Sequence, residues 1–120
     1  MWNAEREGFR TGSMLSCRVT DRGPDYVVLR LAGELSWDAQ SLALERSLEE
    51  HWVKDGVHRI RLDLQDLEGI DLEGVAILVE LFREAQLRGK TLTVERARGP
   101  VRDKLLTTGV LRIMGPRTLG

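Results

Sequence analysis

What this sequence lacks narrows it before anything it contains. Cys17 is its only cysteine, so no disulfide can close within the 120 residues and a cytoplasmic location fits. Histidine occurs twice, as His51 and His58, seven positions apart across a turn, which is no recognised metal-ligand spacing. No apolar run approaches the roughly 20 residues of a membrane span, and the first residues lack the apolar core of a signal peptide. Excess charge of either sign is also missing. Lys and Arg number 18 against 19 Asp and Glu, so there is no electrostatic footprint for nucleic acid or an acidic membrane. Gly33, Gly69 and Gly74 do not form a phosphate-cradling loop with its lysine, and no nucleophile stands near a base. Catalysis, a cofactor and a metal are not expected; a protein partner is.

What is present is organised around residues 62–90. Leu62-Asp63-Leu64 reads as a buried strand, Gln65 to Ile70 as a polar loop, and Asp71-Leu72-Glu73-Gly74 as a helix start. Asp71 suits the N-cap and Glu73 the positive end of the helix dipole. Val75, Leu78, Val79, Phe82 and Ala85 follow the i, i+3, i+4, i+7 spacing of a core-facing stripe, and Gly89 supplies the left-handed stop. That assignment turns Glu73, Ile77, Leu81 and Glu84 outward, an apolar outer face suited to a partner.

The remaining chain is arranged to cover this unit. Residues 1–13 carry Trp2 and Phe9 without a sustained period and are expected to form a mobile leader. Leu15, Cys17 and Val19 alternate as an edge strand, Asp21 to Pro24 turns, and Tyr26 to Leu31 returns antiparallel as a more central strand. Ser36 is a candidate cap for a helix from Trp37 or Asp38 to about Trp52, with Ser41, Leu44, Leu48 and Trp52 inward. His58 to Leu64 is the third strand and Thr91 to Val94 the fourth; a helix opens at Pro100 and closes at Gly109. Val110 to Ile113 is a final strand, and residues 116–120 are a tail. The order β β α β α β α β predicts an α/β fold in residues 14–115: one domain, a mixed sheet of about five strands, helices mainly on one face.

That order, with Leu31-Ala32-Gly33-Glu34-Leu35, the segment from Leu62 to Val75, and Leu105-Leu106-Thr107-Thr108-Gly109-Val110, resembles the STAS domain. The family includes bacterial anti-sigma-factor antagonists, which act in transcription regulation, and cytoplasmic domains of sulfate transporters. The resemblance implies a non-enzymatic, protein-binding signalling domain whose partner is an anti-sigma factor that is also a serine kinase. In antagonists of the family the Asp at the helix start precedes a phosphorylated Ser. Here Asp71 and Gly74 match, but Leu72 stands at the acceptor position and Glu73 at the next hydroxyl position. Leucine has no oxygen to receive a phosphate, so the resemblance implies the docking surface without its usual switch. The surface would comprise Glu34, Ser36, Trp37, Gly69, Asp71, Leu72, Glu73 and Gly74, extended by Ile77 and Leu81.

Two alternatives stay open on the same fold: a STAS subunit of a transport assembly that binds an ABC-transporter ATPase, and a nucleotide-binding STAS domain. Trp2, Phe9, Ile77 and Leu81 equally suit a homodimer contact, and nothing calls for direct membrane insertion.

Overall fold

The computed structural model describes residues 14–36, 39–52 and 56–114. The leader with Trp2 and Phe9, the position of Trp37 and the tail 116–120 lie outside them, as do the side chains of Ser41, His51 and Trp52. Four strands, β1 (Ser16–Arg22), β2 (Tyr26–Leu35), β3 (Arg59–Ile70) and β4 (Thr91–Glu95), form a sheet in the order β1-β2-β3-β4. β1 is antiparallel to β2 through a turn at Gly23 to Asp25, with Asp21 and Arg22 of the expected turn paired in β1, while β2 with β3 and β3 with β4 are parallel. Parallel neighbours need a crossover, and α1 (Ala39–Trp52) and α2 (Leu72–Leu87) supply the two.

Period-2 alternation divides the sheet. Leu29, Leu31, Leu35, Ile60, Leu62, Leu64, Leu92 and Val94 form one buried cluster with Leu44 and Leu48 of α1 and Leu78 and Ala85 of α2. Tyr26, Arg30, Arg61, Asp63 and Glu95 belong to the alternate set. There the Arg61 guanidinium sits 4.9 Å from the Tyr26 ring centre and 3.8 Å from Glu95. α3 (Gly99–Thr107) opens with Pro100 in its first turn and buries Val101 and Leu105 in the same core.

Two elements depart from the expectation. Gln65 to Ile70 is strand, not loop, because β2 continues beside it through Ala32↔Asp66, Gly33↔Leu67, Glu34↔Gly69 and Leu35↔Ile70. The register slips twice along this stretch, between Arg30 and Ala32 and between Gly33 and Glu34, so the alternation that marks a strand is broken. The predicted fifth strand at Val110 to Ile113 is helical: α4 (Val110–Met114) buries the consecutive Val110 and Leu111 and exposes Arg112 and Ile113. A four-residue apolar run carries no period long enough to separate the two states. Among the described residues the sheet therefore has four strands instead of about five.

The charged group at the centre of the fold is Asp63, 1% exposed. Arg30 Nε on β2 donates to Asp63 Oδ2 at 3.2 Å, Arg96 Nε to Oδ1 at 3.2 Å, and the Gln65 N–H to Oδ1 at 3.0 Å; Arg96 Nη2 also donates to Oδ2. Arg96 holds φ 61°, the one positive φ of a non-glycine residue among those described. Burial, the largest single influence, raises the Asp63 pKa, but the bonds from Arg96, Gln65 and Arg30 together outweigh it and hold the carboxyl below its ordinary value. A folded-state pKa below the unfolded one stabilises the fold above the ordinary Asp pKa of about 3.9, and this stabilisation drains away as pH falls through the folded value. Asp63→Asn is expected to lower stability at neutral pH by about 1.5–3 kcal/mol and to flatten the loss of stability below about pH 4, measured by urea unfolding across pH.

Candidate functional site

The long β2–β3 pairing ends at Leu35↔Ile70, and the chain turns from there into α2. Asp71 is extended at φ −104°, ψ −178°, and its Oδ1 accepts from the Gly74 N–H at 2.7 Å, the N-cap expected from its residue type. Its own N–H donates to the Leu35 carbonyl at 3.4 Å, and its carbonyl accepts from Val75 N–H at 2.9 Å. One backbone oxygen, that of Leu35, thus ties the helix start to the neighbouring strand.

The same oxygen explains Gly74. A Cβ there would fall 2.2 Å from Leu35 O and 2.8 Å from Ile70 Cγ1, so only glycine admits this approach. Gly74 therefore faces inward and sets the rotation of α2. The buried stripe becomes Gly74, Leu78, Leu81 and Ala85, flanked by Val75 and Ile77. This corrects the expected apolar outer face: Ile77 is 7% and Leu81 5% exposed, while Val79 and Phe82 are only half-buried. α1 lies along that side of α2, with Glu45 and Glu49 facing Glu80, Leu81, Glu84 and Arg88 across a groove of about 270 Å³. Ile77 and Leu81 belong to the domain's own core and leave the candidate surface. The sequence reading missed this because a glycine adds nothing to a hydrophobic stripe, although it marks the closest approach of helix to sheet.

Leu72 behaves otherwise. It is the first residue of α2 and is 64% exposed, flanked by exposed Asp71 and Glu73. Glu34 pairs with Gly69 across the strands, and its carboxylate lies over that glycine, 3.4 Å from where a Cβ would stand. Glu34 and Glu68 are exposed, Ser36 and Gly69 half-buried. The structure thus brings Glu34, Ser36, Gly69, Asp71, Leu72, Glu73 and Gly74 to one end of the sheet. An exposed leucine sits there with the acids Glu34, Glu68, Asp71 and Glu73. Among the described residues no group of three or more His, Cys, Asp or Glu could hold a metal ion. No helix among them is long and apolar enough to cross a membrane.

A parallel-rich sheet flanked by α1 and α2, with a glycine-seated helix start at its end, defines an α/β domain of a known kind. The STAS domain model matches residues 18–119, and the chain belongs to that family. No curated protein sequence matches it. Among solved structures it is similar to the unphosphorylated anti-sigma-factor antagonist SpoIIAA, a Bacillus protein, at 20% identity over 82% of this chain and 85% of that one, TM-score 0.67. An anti-sigma-factor antagonist from Mycobacterium paratuberculosis is 24% identical over 88% and 87% of the two chains, TM-score 0.67. The STAS domain of a SulP transporter from Vibrio cholerae is 20% identical over 80% and 72%, TM-score 0.57. These likenesses establish the fold.

The geometry sets two stability expectations. Gly74→Ala should cost about 1–3 kcal/mol in chemical denaturation, because the added methyl meets backbone that cannot withdraw. Asp71→Ala, which removes only the cap, should cost about 1 kcal/mol.

Proposed function

We propose that this chain is a non-enzymatic interaction domain of the anti-sigma-factor-antagonist type, which docks an anti-sigma factor of serine-kinase type through the start of α2 and the adjoining end of β2. The observation that carries the reading is Leu72, a large apolar side chain 64% exposed at the position where antagonists of the family place the phosphorylated serine. Exposed apolar area next to a cap and a ring of acids suits a partner better than water. Asp71, Glu73 and Glu34 contribute polar contacts, Gly69 and Gly74 give the backbone its close approach, and Ser36 and Trp37 belong to the adjoining segment. Phosphorylation at this position would add a charge of about −1.5 to −2 to an already acidic end. With leucine there, binding is insensitive to ATP at this position. The domain is active in the cytoplasm, as a component of transcriptional signalling.

The similarity to a SulP transporter STAS domain supports a second reading, a subunit of a transport assembly; in the variant of that reading set out above, the partner is an ABC-transporter ATPase. Pull-down with the full chain followed by calorimetric titration of the recovered partner separates them. With a kinase-type anti-sigma factor, Leu72→Asp should weaken binding about 30-fold, the equivalent of a 2 kcal/mol hot spot. Leu72→Ser should bind in the absence of ATP and release once ATP is added. Equal affinity of Leu72→Asp and the unaltered chain would remove this surface from consideration, and recovery of a transporter ATPase would select the second reading.

A further inference from the structure

The inward turn of Gly74 also fixes which side of α2 looks outward. With each residue advancing about 100°, Ala76, Glu80, Arg83 and Leu87 fall within roughly 60° of one another, opposite the buried Gly74, Leu78, Leu81 and Ala85. All four are exposed. Ile77 and Leu81, which the sequence offers for a contact with a second copy, are buried, so a contact of that kind through α2 falls to the outer four. Leu87 is 83% exposed, more than any other large apolar side chain among the described residues. Beside this stripe runs a groove of about 230 Å³ between α2 and α4, lined by Val79, Phe82, Arg83, Gln86, Val110 and Ile113.

The stripe is complementary to its own reverse. Steps of four, three and four residues are those of a helix-pairing seam. Against a second α2 running the opposite way, with a twofold axis midway between residues 81 and 82, Glu80 meets Arg83 of the copy and Arg83 meets its Glu80, while Ala76 leaves room at each end for Leu87. Centring the axis on Glu80 or on Arg83 sets like charge against like, and a parallel pair in register does both, so the charges select one arrangement. Within a single chain Arg83 Nη1 and Glu80 Oε2 stand 4.0 Å apart, with 70% and 72% of the two side chains exposed, so both charges are presented at the surface.

We propose that α2 pairs antiparallel with α2 of a second copy of this chain, Leu87 supplying the apolar contact and Glu80 with Arg83 the register. The twofold brings both α2–α4 grooves to the same side of the pair, where Phe82 and the 58% exposed Ile113 of each copy extend the contact. Exposed ion pairs contribute little energy, so the apolar side chains carry the affinity and the charges exclude other alignments. One helix face with its flank lies at or below the ~1,200 Å² low end of stable interfaces, which makes this a micromolar association. It does not rest on the docking reading: Leu72 lies one turn before Ala76, level with residue 91 of the copy and past the end of its helix.

Sedimentation velocity of the full chain over about 5 to 500 µM should show a reversible equilibrium between monomer and dimer. Leu87→Glu should leave the chain monomeric throughout. Glu80→Arg and Arg83→Glu each set like charges against one another in the pair, and each should weaken it at least ~10-fold. Mixed in equal amounts, these two single variants should associate as tightly as the unaltered chain, because a pair made of one of each restores both opposite-charge contacts; loss of folding or of the contact within one chain cannot produce that recovery. The positions are exposed, so circular dichroism of every variant should match that of the unaltered chain. A chain that stays monomeric over this range would overturn the proposal. So would a dimer that the variants leave intact, or a mixture that associates no more tightly than its components.

Discussion

One steric fact governs this domain: the carbonyl oxygen of Leu35 occupies the space where residue 74 would otherwise carry a side chain. Gly74 must turn toward β2, and the rotation of α2 about its axis follows from that contact, because each residue of a helix advances about 100°. Leu78, Leu81 and Ala85 fall beneath Gly74, Ile77 turns toward α1, and Leu72, about 200° away from Gly74, is driven outward. The exposure of the leucine and the burial of Ile77 and Leu81 are thus two results of one backbone contact. The Asp71 N–H to the same oxygen keeps the contact in register.

The parts of the fold that rest on local chemistry could be read in the residues. Asp71 caps α2 and Gly89 ends it at φ 73°; Leu44 and Leu48 of α1 face the core while Glu45, Arg46, Glu49 and Glu50 face water; the β1–β2 hairpin turns at Gly23 to Asp25, overlapping the expected Asp21 to Pro24 only at Gly23 and Pro24. The parts that rest on tertiary contact could not. Hydrophobic residues alone give the wrong rotation for α2, because its inward face is centred on a glycine. The end of β3 reads as a loop because two slips of register scramble its pattern, and α4 as a strand because its apolar run is too short to show a period. At the candidate site, Asp71, Leu72 and Glu73 stand exposed where the resemblance put them. Ile77 and Leu81, which the helical spacing alone turns outward, are buried, because that spacing ignores the glycine.

Asp63 shows what pattern alone conceals. In the sequence it is simply a polar position alternating with Leu62 and Leu64; in the structure it accepts from arginines on β2 and beyond β4 as well as from its own strand. It lies where the β2–β3 register first slips, and its bond to the Gln65 N–H satisfies a backbone group within the irregular stretch. Arg96 adopts a backbone conformation unfavourable to its type, and two bonds to a buried carboxylate offset that strain. One side chain therefore unites three segments distant in sequence, and the ladder that leads to the start of α2 passes through it.

The character of Leu72 has a bearing on control in a cell. A hydroxyl at that place lets an enzyme set occupancy by consuming ATP, out of proportion to how many molecules are present. An aliphatic group offers no such handle, and under the proposed docking complex formation there would obey mass action, governed by copy number. On the docking proposed above, such a component would meter its partner by abundance, its influence rising and falling with synthesis and turnover.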